Sequence, residues 1–165
     1  MARVRCSGCG GTFPDVEGPT HPYMESCPGC WATYGEVLAL EYGDPASARL
    51  HRLTVDAYAV QHPGRPSPQS SQSVAAHLIS LCLVLENKFE MPKATAAIAR
   101  AVKSEEPYPW LEPPDSRGLV TVADVHGAPG PDEHLVRVRR WAASAWAAWS
   151  PHHGQVRSWI TALYR

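Results

Sequence analysis

Four cysteines near the start of the chain form two identical pairs with metal-ligand spacing. Cys6 and Cys9 are separated by two residues, as are Cys27 and Cys30, and 17 residues lie between the pairs. A two-residue gap lets both thiolates of a pair face one ion, and two such pairs are typical of a structural zinc site. The sequence therefore predicts one Zn²⁺ held by four thiolates, those of Cys6, Cys9, Cys27 and Cys30.

His21 lies between the two pairs and is a fifth candidate ligand. Structural zinc sites take four ligands, so His21 is an alternative in which Cys27 is not used. With four protein ligands the ion has no open position for a substrate. The site is therefore interpreted as structural.

A second hypothesis places a catalytic site among side chains of the helical part of the chain. Asp56, His62 and His77 are its candidate catalytic residues, and His51 or His152 could complete the set. Neutral imidazoles and one carboxylate can hold an ion that keeps a position open to water. The alternative is that His77 is an ordinary core residue and that His62 stabilises the end of a helix. The chain has no H-E-x-x-H pattern, no phosphate-binding glycine loop and no nucleophile elbow.

The elements that must position these residues are predicted to be mainly α-helices. Apolar periodicity, capping residues and prolines mark the ends of the helices, which we place at residues 31–42, 45–61, 73–86, 92–103, 131–149 and 151–165. Residues 63–72 are predicted to form a loop. Residues 119–125 have the composition of a strand but no obvious partner. Cys82 lies among leucines and is predicted to be a core residue.

The fold class is therefore a mainly α helical bundle with an N-terminal zinc-knuckle segment and at most one short strand. We assign residues 1–35 to the zinc-knuckle segment and residues 36–165 to the helical bundle, and expect the two to form one compact domain. A chain of 165 residues with 44% hydrophobic residues is long and apolar enough to bury a core.

Charge and hydropathy narrow the classes of partner. The chain has 15 basic and 16 acidic residues, which argues against nucleic-acid binding. No apolar run approaches the roughly 18 residues that span a bilayer, and no apolar stretch precedes Cys6 as a secretion signal would. We expect a soluble, cytoplasmic protein whose partner is a protein or a small molecule, not a nucleic acid or a membrane.

Several stretches resemble a family of uncharacterised bacterial proteins, a domain of unknown function. The most specific is the motif Asp-x-Tyr-x2-Gln-His-Pro-Gly at residues 56–64, and the others are residues 6–10, 28–31, 74–78 and 141–149. The resemblance covers nearly the whole chain and implies no established activity. In the family a serine often stands at the position of Cys27. The resemblance thus implies that His21 or another histidine replaces Cys27 as a ligand, and three cysteines could leave one coordination position open.

Two functions of different classes follow from these observations. The first is a zinc-stabilised binding or accessory protein, and the second is a small metal-dependent enzyme. A zinc-knuckle transcription factor is disfavoured by the charge balance. One zinc ion per chain favours the first function, whereas two metal ions, or one outside the cysteines, favour the second.

Overall fold

The computed structural model describes all 165 residues and is mainly helical, as the sequence predicts. Two short strands, β1 (Arg3–Arg5) and β2 (Thr12–Pro14), precede seven helices. The helices are α1 (Pro28–Gly43), α2 (His51–Gln61), α3 (Pro68–Leu85), α4 (Met91–Ala101), α5 (Val122–Val125), α6 (Pro131–Ala148) and α7 (His153–Leu163). Two 3₁₀ turns, Ser47–Leu50 and Ser150–His152, lead into α2 and α7. None of the helices combines the length and the apolar character that a membrane crossing requires.

Helix α2 lies at the centre of the bundle. It packs against α3 and α6, while α4 and α7 cover other parts of α3. The stripe of Leu53, Ala57 and Val60 predicts a buried face, and all three residues are fully buried. The C-terminal end of α2 therefore has a fixed position inside the molecule. The residue that follows α2 is positioned in the same way.

Two tryptophans, one within α6 and one at its C-terminal end, donate hydrogen bonds to the last turn of α2. Trp141 Nε1 donates to the Gln61 side chain at 2.8 Å, and Trp149 Nε1 donates to the Val60 carbonyl at 3.0 Å. Buried indole N–H groups need such partners. These bonds fix the end of α2 against α6.

The N-terminal hairpin pairs β1 with β2 in antiparallel register, with Arg3 opposite Pro14 and Arg5 opposite Thr12. The turn between the strands is closed by a hydrogen bond from Cys6 N to Gly11 O at 2.8 Å. These strands are not predicted from the sequence. Three residues are too few to display the alternation of polar and apolar residues that marks a strand.

Residues 119–125, which have the composition of a strand, do not form one. Residues Val122–Val125 form the short helix α5, which Thr121 caps in a capping box with Asp124. No strand pairs with this segment. The local capping bonds therefore decide its conformation.

Helix α3 begins earlier than predicted. It starts at Pro68, not at Ser73, because the Ser67 hydroxyl accepts a hydrogen bond from Ser70 N at 3.0 Å. Serine at the N-cap followed by proline in the first turn is a strong start signal. The predicted loop at residues 63–72 is therefore shorter in the structure.

Candidate metal centre

Three cysteines and one histidine meet where the N-terminal hairpin contacts the helical bundle. The ligand atoms of Cys6, Cys9, Cys30 and His62 all lie within 4.8 Å of one another, and all four residues are buried. Cys9 Sγ is 3.9 Å from Cys30 Sγ, and His62 Nε2 is 3.6 Å from Cys6 Sγ and 3.4 Å from Cys30 Sγ. We call these four residues the Cys3His group. It could hold a metal ion.

Three separate segments supply the group. Cys6 and Cys9 lie in the turn between β1 and β2, Cys30 lies in the first turn of α1, and His62 directly follows α2. The two cysteines of the turn are thus brought to residues that lie 21 or more positions further along the chain. A metal ion at this point would join the hairpin to two helices.

Glycines permit these segments to approach one another closely. A Cβ atom on Gly8 would lie 2.2 Å from His62 Cδ2, and one on Gly29 would lie 2.1 Å from the Pro14 carbonyl oxygen. Both distances are far below van der Waals contact. The absence of a side chain at both positions is therefore required by the geometry of the site.

The orientation of His62 is fixed by the last turn of α2. His62 Nδ1 lies 2.7 Å from the Tyr58 carbonyl oxygen, so this nitrogen donates and Nε2 presents its lone pair to the sulfurs. The Tyr58 ring stacks on the imidazole at 3.9 Å and on the Tyr34 ring at 3.8 Å. The hydrogen bond and the stacking therefore preorganise the imidazole of His62 for binding a metal ion.

The cysteine thiols of the group strongly shift one another's pKa values. Hydrogen bonds from the thiols of Cys30 and Cys9 hold the pKa of Cys6 far below its ordinary value, because they stabilise its thiolate. The same hydrogen bond between Cys6 and Cys30 raises the pKa of Cys30, because it stabilises the protonated form of the Cys30 thiol. In this way the thiols of the group favour one thiolate among them and disfavour ionisation of its neighbours. A cation that neutralises several thiolates would relieve this competition.

The loop between Cys6 and Cys9 is also held from outside. Arg117 Nη1 donates to the Gly8 carbonyl at 2.5 Å and to the Ser7 carbonyl at 3.3 Å. Arg117 comes from the long segment between α4 and α5. This contact anchors the cysteine-bearing turn to a distant part of the chain.

Two predicted ligands lie outside the Cys3His group. Cys27 occupies the N-cap position of α1 and is partly exposed, whereas Cys30 lies inside the first turn and is fully buried. His21 Nδ1 accepts hydrogen bonds from the backbone N–H groups of Tyr23 and Met24, at 3.3 and 3.2 Å. The structure therefore groups His62, in place of Cys27 or His21, with the other three predicted cysteines.

The predicted catalytic residues do not form one site. His77 Nδ1 lies 2.8 Å from Asp56 Oδ1, and Ser80 donates to the other oxygen of this buried carboxylate. His62 lies instead with the cysteines. The predicted cluster is thus divided into an Asp56–His77 pair and a histidine that faces sulfur.

The two additional histidines of that hypothesis are also placed separately. His51 contacts Glu41, and His152 Nε2 donates to the Glu112 carbonyl at 2.8 Å. Neither histidine contacts Asp56 or His77.

A buried carboxylate that is not predicted from the sequence, Glu41, accepts three hydrogen bonds. The donors are His51 Nδ1 at 2.6 Å, Thr54 Oγ1 at 2.6 Å and His134 Nε2 at 2.8 Å. Its signal in the sequence is that it shares the buried face of α1 with Tyr34 and Val37. An acidic residue in register with an apolar stripe indicates a buried polar cluster.

The chain is thus a helical protein whose N-terminal hairpin carries two cysteines of a candidate metal centre. The chain is a member of the family of unknown function DUF5946, whose family model matches residues 4–150. No curated protein and no solved structure matches the chain. The resemblance to an uncharacterised family is thereby confirmed.

Proposed function

We propose that this protein binds one structural zinc ion through Cys6, Cys9, Cys30 and His62. The observation that carries the proposal is the hydrogen bond from His62 Nδ1 to the Tyr58 carbonyl, which directs Nε2 at the sulfurs of Cys6 and Cys30. The N–H to carbonyl bond of a ligating histidine is the usual partner that fixes its orientation.

The spacing of the group supports zinc. A tetrahedral ion with Zn–S and Zn–N bonds of ordinary length separates two sulfur ligands by about 3.8 Å and a sulfur from a nitrogen by about 3.6 Å. The corresponding separations here are 3.9 Å for Cys9 and Cys30, and 3.4 and 3.6 Å for His62 and its two sulfurs. Thiolate with imidazole is also the ligand set that zinc prefers.

The role we propose for the ion is structural. Four protein ligands complete a tetrahedral shell, and all four residues are buried, so no position remains for a substrate. The ion would unite the segment of residues 1–35 with the bundle of residues 36–165 as one compact unit. The protein would then act as a binding or accessory protein, whose partner is a protein or small molecule.

The proposal is tested by the metal content and thermal stability of the purified protein. We expect one zinc ion per chain. We also expect a chelator to lower the melting temperature by about 10 °C, because a free zinc concentration of about a thousand times the Kd stabilises the folded protein by about 4 kcal/mol. His62→Ala should lose the ion, whereas His126→Ala, which changes an exposed histidine paired with Glu36, should keep it. A metal-free protein with unchanged stability would exclude the proposal.

The alternative function is a small metal-dependent enzyme with a His/Asp site in the bundle. The observation in its favour is the hydrogen bond between His77 and the buried carboxylate of Asp56, which leaves His77 Nε2 unused. Catalytic zinc sites usually have three protein ligands; here His77 Nε2 offers one, and Asp56, hydrogen-bonded to Nδ1, would orient it. A second metal ion per chain that is lost in His77→Ala, with the first retained, would favour the enzyme.

A further inference from the structure

A small basic cavity lies on the opposite part of α2 from the Cys3His group. It has a volume of about 280 Å³ and is formed where the start of α2 meets the start of α4. Three of its lining residues are basic and none is acidic. The lining that matters here consists of Arg49, His51, Arg52, Val55, Met91 and Thr95.

The imidazole of His51 is held in the wall of this cavity by a buried network. Its Nδ1 lies 2.6 Å from a carboxylate oxygen of Glu41, whose side chain is fully buried. Glu41 also accepts hydrogen bonds from Thr54 and His134, so both of its oxygens are occupied. His51 is therefore fixed in orientation, and its second ring nitrogen, Nε2, is the one left for a ligand.

The two arginines of the cavity differ in their carboxylate partners. Arg49 is exposed and forms no ion pair. Arg52 Nη1 is 3.7 Å from Asp56 Oδ1, but both oxygens of Asp56 already accept shorter hydrogen bonds from His77 and Ser80. Two guanidinium groups and one imidazole therefore line the cavity, and Arg49 is the one of the three that faces no carboxylate, since His51 contacts Glu41 and Arg52 contacts Asp56.

We propose that this cavity binds a phosphate group, either free or carried by a small phosphomonoester. Guanidinium groups match the planar edges of phosphate and form charge-assisted hydrogen bonds with it. A histidine held by a carboxylate adds a third donor when it is protonated. The cavity is at the lower end of the size of ligand sites, which favours a small ligand, and Val55 with Met91 provides an apolar wall for a short organic group.

Isothermal titration with inorganic phosphate and with phenyl phosphate, at low ionic strength in a phosphate-free buffer, tests this proposal. We expect saturable binding of one equivalent that weakens with added salt. Arg49→Gln should raise the Kd by about tenfold or more, the effect of losing a charge-assisted hydrogen bond. Because Arg49 is exposed and makes no hydrogen bond, this variant should fold like the parent protein.

Arg139→Gln is the matched control, since Arg139 is an exposed, unpaired arginine on α6. It should leave the Kd unchanged. Binding of both probes supports recognition of phosphate itself, and binding of phenyl phosphate alone supports a phosphomonoester. No binding of either probe, or equal weakening in both variants, would overturn the proposal.

The proposal is independent of the metal centre. Phosphate binding should persist in His62→Ala if that variant remains folded, because His62 lies at the other end of α2 from His51. Amide chemical shifts in the 3₁₀ turn Ser47–Leu50 and in the first turn of α4 should report the bound phosphate. Shifts confined to the region of the cysteines would contradict this location.

Discussion

At the scale of single residues, the Cys-x2-Cys pair at the start of α1 divides into two unequal members. Cys30 is fully buried and 3.4 Å from His62 Nε2, whereas Cys27 is partly exposed and outside the Cys3His group. The position of the helix explains this difference. Cys27 precedes the first helical residue, while Cys30 lies on the turn that faces the hairpin.

This asymmetry predicts different effects of two serine substitutions. Cys30→Ser should weaken zinc binding by at least tenfold, because the loss of even an outer partner of a ligand costs about 10–100-fold. Cys27→Ser should leave the affinity unchanged. Competition with a chromogenic chelator measures both values, and Cys82→Ser, which changes a buried cysteine outside the group, controls for the loss of any thiol. Equal losses from Cys27→Ser and Cys30→Ser would mean that Cys27 is a ligand.

The spacing of the cysteines predicts Cys6, Cys9 and Cys30, but it contains no information about His62. That residue is 32 positions beyond Cys30 and reaches the group only because α2 folds back against α1. The family resemblance, by indicating another histidine in place of Cys27, was the signal closest to the observed group. The network around Glu41 could be inferred only from one acidic residue in an apolar stripe.

At the scale of secondary structure, sequence periodicity predicts the helices that have apolar stripes along their whole length. The predicted helix at 131–149 and α6 (Pro131–Ala148) have nearly the same ends. The start of α3 was misplaced because its first turn is polar and has no stripe to detect, although Ser67 and Pro68 carry a start signal. The hairpin strands were missed because each has only three residues.

The contact of α1 with β2 predicts opposite effects for two glycine substitutions in the same helix. Gly29→Ala places a methyl group against the Pro14 carbonyl oxygen and should destabilise the protein by about 2 kcal/mol, a typical cost of overpacking. Gly35→Ala meets no atom within 4 Å and should stabilise it by about 0.5–1 kcal/mol, since alanine is the better helix former. Urea unfolding of the zinc-loaded protein measures both changes. A similar stabilisation by both substitutions would show that α1 and β2 do not approach this closely.

At the scale of the whole molecule, two different kinds of interaction hold the N-terminal segment and the bundle. The bundle has an extensive buried core, in which Leu53, Leu78 and Trp141 are fully buried. The hairpin contributes one fully buried large apolar side chain, Phe13, besides its cysteines. Two strands alone are marginally stable in water, so the Cys3His group is the main candidate for ordering this segment.

Metal removal should therefore loosen the two parts unequally. We expect a chelator to accelerate hydrogen exchange of the amides in β1, β2 and the turn between them, because the ion no longer joins Cys6 and Cys9 to α1 and α2. The amides of α3 and α6, whose packing does not involve the group, should remain protected. Hydrogen exchange measured by mass spectrometry, with and without chelator, resolves these segments.

His62→Ala should reproduce the chelator pattern without added chelator, and His126→Ala should match the parent protein. Uniform loss of protection across all helices would mean that the ion sustains the whole bundle, whereas unchanged protection of the hairpin would mean that Phe13 and the Arg117 contacts suffice to hold it.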